Sequence, residues 1–192
     1  MSLILEQYLH EKAGLSAADV ARTLAAAQVR SLQRGTMLLQ EGQICRYKIF
    51  VADGLLRNYA VAADGSEHIL QFCPELHWTL DVESYDHQTP ARFNIDAIEA
   101  SEVYLWSKDA FHQLLHEIPA LEAFSRQLVS RNIYNSRHRL VSALSATPEE
   151  KYQEFLNSYP GLLSRVPLRM IASYLGVSLK TLGRIRQASA RH

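Results

Sequence analysis

The sequence predicts an α+β fold made of an N-terminal double-stranded β-helix or jelly-roll, a long connecting helix and a C-terminal helix-turn-helix domain. Three observations lead to this prediction. Short apolar runs between glycines fill the first half, helical periodicity begins near Lys108, and the pattern of two crossed helices lies near the end. We expect the β-roll with its entry helix at 1–118, the long helix at 119–145 and the helix-turn-helix domain at 146–192.

The β-roll is predicted from the spacing of its turn signals. Ser16, three residues before Asp19, first predicts a short capped entry helix. Between Val29 and Trp106, about six to eight short apolar segments are separated by glycines roughly 7 to 12 residues apart, which suits turns between strands. The dipeptides Asp53-Gly54 and Asp64-Gly65 are typical of hairpin turns. A segment of this kind favours a sandwich, a barrel or a roll.

A helix of about seven turns is predicted from about Pro119 to Leu144, after a shorter helix that begins at Lys108. Pro119 suits a first turn because its missing N–H costs nothing there. The apolar edge of the long helix is interrupted by polar residues, so two interpretations stay open. The helix packs wholly against its own domain, or it forms a seam with a second copy of the chain, with Leu128 and Leu140 as candidate seam residues.

A second domain is predicted to begin at Thr147. Thr147 is expected as the N-cap of a helix, Pro148 at its first position and Glu150 as the carboxylate that closes a capping box. The run Tyr159-Pro160-Gly161 predicts the end of that helix.

The segment Leu168–Gln187 carries the pattern of a helix-turn-helix. Two short helices that cross steeply about a tight turn need small residues where the backbones approach and apolar residues between them. Ala172 and Gly176 meet the first need, and Ser178 is placed to cap the second helix. The expected shared core consists of Ile171, Leu175, Val177, Leu182 and Ile185.

Charge is divided along the chain, although the formal net charge is zero. Residues 1–125 hold 9 Lys and Arg against 17 Asp and Glu, whereas residues 126–192 hold 11 against 3. No acid follows Glu154. A basic terminal module beside an acidic body is the pattern expected of a protein that binds the phosphate backbone of double-stranded DNA.

In a DNA reader of this kind the second helix enters the major groove, where its early residues meet base edges and nearby cations meet phosphates. Lys180 and Arg184 are expected as base readers, and Arg169 on the first helix as a phosphate contact. The candidate DNA-binding residues are Arg169, Ser178, Lys180, Thr181 and Arg184. A three-helix module that binds a protein partner has the same sequence pattern and stays open as the alternative.

Three segments of the chain carry a resemblance to a known family. Leu38–Tyr59, Thr147–Tyr152 and Ile171–Arg186 read LLQEGQICRYKIFVADGLLRNY, TPEEKY and IASYLGVSLKTLGRIR. Together they resemble the Crp/Fnr family of the cyclic-AMP receptor protein and FNR over nearly the whole chain. The resemblance implies a cyclic-nucleotide-binding-like β-roll that senses a small effector, a long dimerisation helix, and a helix-turn-helix that binds a palindromic operator to regulate transcription. The implied partners are double-stranded DNA, a second copy of the chain and RNA polymerase.

The reading helix matches that family only in part. The family usually carries a basic residue and then an acid directly after the serine cap, and here those places hold Leu179 and Lys180. Ser178, Thr181 and Arg184 match. The operator sequence therefore does not transfer.

The resemblance also implies an effector site in the β-roll. A cyclic nucleotide needs a helix N-terminus and an arginine for its phosphate, and a carboxylate for its ribose. The family pattern is Phe-x-Gly-Glu-Leu, followed about ten residues later by Arg-Ser/Thr-Ala. Here the run Phe72–Leu76 keeps the acid as Glu75 but has Pro74, which lacks an N–H, in place of the glycine. Ala91 stands where the arginine belongs, one residue before Arg92.

Glu75 and Arg92 are therefore the candidate effector-binding residues, and we expect no tight binding of cyclic AMP. The aromatic residues of the same region leave two interpretations open. Trp78, Tyr85 and Phe93 line a different, more apolar pocket, or they pack in the core.

Other functional classes have weaker sequence signals. Cys45 and Cys73 are too few for an iron–sulfur cluster and lack the spacing of a disulfide framework. His112 and His116, beside Glu117, have a spacing that suits a metal in a cupin-like enzyme, but a third ligand and any catalytic motif are missing from the sequence. We expect a protein that is not an enzyme. Without an apolar run of about 18 residues or a signal sequence, it is expected in the cytoplasm, with no membrane contact.

Overall fold

The computed structural model describes residues 2–189, which form two compact units. The first unit runs to Ala60 and resumes from Gln71 to Val129, and the second joins Val61–Leu70 to the residues that follow Val129. The helices are α1 (Ser2–Ala13), α2 (Ala17–Ala25), α3 (Val82–His87), α4 (Lys108–Glu117), α5 (Pro119–Ser145), α6 (Pro148–Ser158), α7 (Leu162–Arg165), α8 (Leu168–Leu175) and α9 (Leu179–Ser189). The strands are β1 (Gln28–Leu32), β2 (Met37–Leu39), β3 (Tyr47–Asp53), β4 (Leu56–Val61), β5 (Glu67–Cys73), β6 (Trp78–Thr79), β7 (Asn94–Ala97) and β8 (Ser101–Ser107).

Two four-stranded sheets form the predicted β-roll. Their strand orders are β1-β8-β3-β6 and β2-β7-β4-β5, and the strands pair antiparallel. Except for β4 and β5, strands that follow one another in sequence lie in different sheets, which is the alternation expected of a jelly-roll. A long helix and a group of short helices follow the roll. The predicted α+β fold is confirmed.

The turn at Asp53-Gly54 is not a hairpin, so that prediction is wrong. The strands it joins, β3 and β4, lie in different sheets. Gly54 has φ +89°, and a Cβ at this position would lie 2.3 Å from Oγ of Ser101 and 2.5 Å from the carbonyl oxygen of Ala100. Glycine is required because the chain changes sheets against a neighbouring backbone segment. Asp64-Gly65 joins β4 and β5, which are neighbours in one sheet, and there the hairpin prediction is confirmed.

The first unit has apolar clusters on both sides of the β1-β8-β3-β6 sheet. Ile49 and Val51 of β3 face the cluster between the two sheets, whereas Phe50 and Ala52 face the other one. This alternation follows from the two-residue period of a strand. The second cluster is covered by α1, α2, α4 and the first turns of α5. Trp106 fixes α2 there, because its indole N–H donates to the carbonyl oxygen of Thr23 over 2.8 Å.

The sequence patterns did not predict α1 and α3. Helix α1 buries Leu5 and Leu9, one turn apart, which is too short an apolar stripe to stand out. Helix α3 interrupts the strand pattern and begins at an N-cap, Asp81, whose side chain accepts a hydrogen bond from the N–H of Ser84.

Helix α5 has 27 residues and matches its predicted span. Leu121 and Phe124 are buried in the first unit, and Leu128 packs partly against the same cluster. Beyond Val129 the apolar residues of α5 are exposed, with Leu140 at 60% and Leu144 at 80%. Within residues 2–189, neither this helix nor another is long and apolar enough to cross a membrane.

The second unit contains α6 to α9, the end of α5 and the tip of the β4–β5 hairpin. Thr147 and Glu150 form the predicted capping box at the start of α6, with both hydrogen bonds present. Helix α6 ends at Ser158, before the predicted Tyr159-Pro160-Gly161 stop. The buried side chains shared by these helices are Tyr152, Phe155, Leu162, Val166, Ile171, Ala172, Leu175, Leu182 and Ile185.

Candidate nucleic-acid interface and effector region

The turn between α8 and α9 has the geometry that a helix-turn-helix requires. Gly176 closes α8 in the left-handed region, with φ +66°, and its N–H and that of Val177 are bonded to carbonyl oxygens of α8. Ser178 then caps α9, because its Oγ accepts a hydrogen bond from the N–H of Thr181 over 3.0 Å. The predicted roles of Gly176 and Ser178 in the turn are confirmed.

The two helices share the predicted core. Ile171, Ala172 and Leu175 of α8 are buried together with Leu182 and Ile185 of α9, and α6 packs against both helices. Val177 is only half-buried because it lies in the turn. This core fixes which side of α9 remains in solvent.

Of the five predicted DNA-binding residues, three are exposed cations. Lys180 and Arg184 lie four residues apart on one face of α9, and Arg169 lies in the first turn of α8. Within residues 2–189, none of these three side chains has an ion pair or a hydrogen bond. Arg186, which was not among the predicted residues, is also exposed on α9.

The other two predicted residues serve the cap of α9. The hydroxyls of Ser178 and Thr181 lie 2.8 Å apart, and Thr181 is half-buried. Their side chains therefore fix the start of the helix, whereas Lys180 and Arg184 are free to contact a ligand.

The hairpin tip Val61–Leu70 is bonded to α8, a contact that sequence reasoning did not find. The hydroxyl of Ser173 donates to the carbonyl oxygen of Glu67 over 2.6 Å and accepts from the N–H of Ile69 over 3.1 Å. Arg139 of α5 donates to the carbonyl oxygens of Ile69 and Tyr174, and its guanidinium lies 3.7 Å from the centre of the Tyr174 ring. No local pattern reveals partners about 100 residues apart.

The predicted effector residues Glu75 and Arg92 have different neighbours in the first unit. Glu75 lies between β5 and β6, and its carboxylate accepts a hydrogen bond from the N–H of Gly54 over 3.2 Å. Arg92 is exposed and lies 3.5 Å from Glu83 of α3. Its neighbour Ala91 is buried in the cluster between the sheets, so the two positions point into different surroundings. Their role in effector binding stays a prediction.

The acid at the start of α3 is Asp81, which the sequence patterns did not indicate. The Asp81 side chain accepts hydrogen bonds from the N–H groups of Ser84 and Arg92, each over 3.0 Å, and only 3% of the residue is exposed. Asp81 therefore joins α3 to the segment before β7. An acid three residues before Ser84 was the available signal for this N-cap.

Two pairs of polar side chains inside the roll satisfy one another. Asn58 and Thr79 exchange two hydrogen bonds of 2.9 and 3.1 Å. Arg57 and Asp96 face each other across β4 and β7 and form a buried two-point ion pair, with N–O distances of 2.7 and 2.9 Å.

Tyr85 packs in the cluster between the two sheets and Trp78 packs against the cluster on the other side, which confirms core packing for both. Phe93 is half-buried.

Both cysteines are buried free thiols of the first unit. Burial raises the pKa of the Cys73 thiol to about 12, although a hydrogen bond with Thr79 acts in the opposite direction. Burial also raises the pKa of Cys45.

Within residues 2–189, groups of three or more His, Cys, Asp or Glu side chains suited to a metal are absent. Glu117, which stands beside the two histidines of the metal alternative, pairs with Arg22.

The comparisons with known proteins agree with this geometry. Residues 29–117 match the model of the cyclic nucleotide-binding domain. The nitrogen fixation regulation protein FixK of Bradyrhizobium diazoefficiens is 26% identical over 90% of this chain and 80% of its own length. The structure of FixK2 from Bradyrhizobium japonicum has a TM-score of 0.74 at 18% identity, over 84% of this chain and 83% of that one. The chain is therefore similar to the Crp/Fnr family of transcription regulators over most of its length.

Two further solved structures share this fold over most of both chains. The c-di-GMP responsive global regulator CLP of Xanthomonas campestris has a TM-score of 0.75 at 14% identity, over 92% of this chain and 93% of that one. The catabolite activator protein of Thermus thermophilus has a TM-score of 0.60 at 21% identity, over 96% and 87%. The Crp/Fnr fold therefore includes the β-roll, the long helix and the C-terminal helices.

Proposed function

We propose that this Crp/Fnr regulator binds double-stranded DNA as a homodimer, with α9 as the reading helix. The observation that carries the proposal is the exposed cationic face of α9. Lys180 and Arg184 extend from a helix whose other side is held by a buried core, and their charges are not neutralised by any described side chain. A rigid helix with unpaired cations is suited to the major groove, where Arg and Lys bind guanine edges.

Charge supports the same proposal. No acid follows Glu154 in the sequence, and Glu154 itself is engaged by Ser142 over 2.6 Å and by His138 over 3.0 Å. Arg169 in α8 supplies a further cation on the neighbouring helix, and we propose it as a phosphate contact. The domain boundaries at 118 and 145 and a contact with RNA polymerase remain predictions.

The proposed dimer uses the exposed part of α5. Val129, Ile133, Leu140 and Leu144 recur at spacings of four, seven and four residues, and each is at least 46% exposed. Such a stripe suits a seam between two parallel helices. A two-fold dimer would present two copies of α9 to the two halves of a palindromic site.

The β-roll is the proposed sensor in this regulator, since its relatives FixK and CLP are named as regulators and its own domain matches the cyclic nucleotide-binding model. The bound molecule would change the balance between conformations that bind DNA well and poorly. We propose a regulatory protein of the cytoplasm without enzymatic activity.

The test of this function is selection of genomic DNA fragments by the purified full-length chain. We expect enrichment of a palindromic sequence whose half-sites lie about one helical turn, or 10 base pairs, apart. The Lys180→Ala/Arg184→Ala double variant serves as the control and should lose the enrichment. The absence of any enriched sequence with the native chain would contradict the proposal and favour a protein partner for these helices.

A further inference from the structure

A cleft of about 470 Å³ opens at one edge of the β-roll. Strands β1, β2, β3 and β8 and the loop between β2 and β3 line it. Its floor is apolar and belongs to the core between the two sheets, with Leu39, Cys45, Ile49 and Leu105 as the buried members. The volume lies within the range of about 300 to 1,000 Å³ that is usual for small-molecule sites.

Two arginines lie at this cleft. Arg30 pairs with Val103 across β1 and β8, on the side of the sheet that faces the core, and its own side chain is exposed at the cleft. Arg46 stands at the other wall, directly before β3. Within the described part of the chain, neither guanidinium has an ion pair or a hydrogen bond, and no acid lines the cleft. The cleft therefore has a positive rim over an apolar floor.

The loop that forms one wall is fixed before any ligand arrives. Gly42 has φ +87°, which favours glycine, and its N–H donates to the carbonyl oxygen of Ala91 over 2.8 Å. The N–H of Ala91 donates to the carbonyl oxygen of Gln43 over 2.7 Å. A wall that is already ordered loses little conformational entropy when a ligand binds.

We propose that this cleft binds a small organic anion with an apolar body, such as an aromatic or aliphatic carboxylate or sulfonate. The arginines would bind the anionic group, and the apolar body would cover Leu39, Ile49 and Leu105. The site is separate from Glu75 and Arg92, neither of which lines the cleft. Binding of the anion at this cleft is independent of the proposed regulatory function. Its action as an effector rests on that function.

Fluorescence titration of the full-length chain with 8-anilinonaphthalene-1-sulfonate tests this site, because this aromatic sulfonate becomes fluorescent in apolar surroundings. We expect saturable binding that decanoate reverses. Arg30→Ala and Arg46→Ala should each raise Kd about threefold to fivefold, in keeping with exposed charge pairs, and the double variant about tenfold or more. Arg34→Ala is the matched control, since Arg34 is exposed in the turn after β1 and does not line the cleft.

Three results would overturn the site. Equal Kd values for the native chain and the double variant would exclude the arginines as its cations. A Kd raised as much by Arg34→Ala would indicate a general charge effect. Displacement by sulfate at matched ionic strength, as complete as displacement by decanoate, would exclude the apolar floor as part of the site.

A DNA titration of the same variants separates this site from the proposed function. Without added anion, Arg30→Ala/Arg46→Ala should bind DNA as the native chain does, because both residues belong to the first unit and the reading helix to the second. Failure of the native chain to bind DNA, with the anion still bound, would overturn the regulatory function and leave the site. Normal DNA binding without anion binding would overturn the site alone.

Discussion

Oγ of Ser173 lies 2.6 Å from the carbonyl oxygen of Glu67, which stands 106 residues earlier in the chain. The same oxygen accepts the N–H of Ile69 over 3.1 Å. The Ser173 hydroxyl of α8 therefore binds one carbonyl oxygen and one N–H group of the β4–β5 hairpin tip, two residues apart. Ser173→Ala removes both bonds without changing the fold of α8, since alanine is a good helix former.

We expect Ser173→Ala to speed hydrogen exchange at the Ile69 amide about fivefold, which corresponds to the loss of about 1 kcal/mol of local stability. Exchange followed by mass spectrometry of the peptide 61–70 provides the measurement. Ser164→Ala is the matched control, because Ser164 is bonded within its own turn to Gly161 over 2.9 Å. Unchanged exchange in Ser173→Ala would show that the hairpin tip is held by other contacts.

Arg184→Ala should weaken binding to a specific DNA site about 5-fold to 150-fold and relax the preference for one base in each half-site. The loss corresponds to a base-edge contact of roughly 1 to 3 kcal/mol. Arg169→Ala should weaken specific and scrambled duplexes about equally and lower the slope of affinity against salt, as loss of a phosphate contact does. Titrations at several salt concentrations distinguish these patterns, and identical, salt-insensitive binding by all three proteins would contradict the DNA interface.

Leu140→Glu should convert a dimer into a monomer. Leu140 is 60% exposed in the chain, and a carboxylate there would be desolvated in an apolar seam. Arg131→Glu is the control, because a position nine residues earlier lies on the opposite side of the helix. Light scattering at micromolar concentration measures the mass. A native chain that is monomeric with and without DNA would contradict the seam.

Cyclic AMP should not bind with a Kd at or below about 10 μM. Ala91 occupies the core between the sheets and Arg92 lies outside beside Glu83, so the arginine that the phosphate needs is not directed inward. Calorimetry checks this expectation. Tight saturable binding that Glu75→Ala abolishes would show that another cation binds the phosphate and that Glu75 contacts the nucleotide.

Lys48→Met should stabilise the chain at pH 7. Lys48 is only 8% exposed, its Nζ is 3.3 Å from Oγ of Ser125, and burial lowers its pKa to about 8, while Asp86 acts in the opposite direction. Between about pH 8 and the ordinary lysine pKa of 10.5, the unfolded chain keeps the proton of this amine and the folded chain loses it. The free energy of unfolding therefore rises with pH over this range. Below pH 8 the buried charge costs up to about 3 kcal/mol.

Urea unfolding of the native chain and Lys48→Met at pH 7 and pH 10 measures this effect. The advantage of the variant should shrink at the higher pH, where the lysine of the folded chain is neutral and that of the unfolded chain has begun to lose its proton. Lys12→Met, at an exposed position of α1, is the control and should behave alike at both pH values. A variant that is less stable than the native chain at pH 7 would show that the contacts of the amine with Ser125 and with the rings of Trp78 and Phe111 outweigh its desolvation.

Local patterns predicted the parts of the fold that local chemistry determines. Thr147 and Glu150 form a capping box within four residues, and Gly176 and Ser178 determine a turn, so both could be recognised in the sequence. The hairpin expected at Asp53-Gly54 could not be judged in this way. Whether strands on either side of a turn pair depends on which sheet each one joins, and distant residues such as Ser101 decide that.

In the candidate sites, too, local patterns predicted some features, while others depend on distant contacts. Lys180, Arg184 and Arg169 are exposed because the helix period determines which side of α8 and α9 is buried. The effector region stays a prediction. Glu75 accepts a hydrogen bond from the N–H of Gly54 and Arg92 lies beside Glu83, and no local sequence pattern indicates either contact. The role of Ser173 depends on a contact with Glu67, which no sequence period encodes.

The burial of Cys45 and Cys73 makes the native chain suitable for site-specific labelling. Both thiols are enclosed, with 3% and 0% of the residues exposed, and burial keeps their pKa values above the ordinary value, so few thiolates exist at pH 7. A cysteine introduced at the exposed Gln187 would react with a maleimide dye far faster than either of them. A fluorophore could therefore be attached in the last turns of the reading helix without first removing the native cysteines.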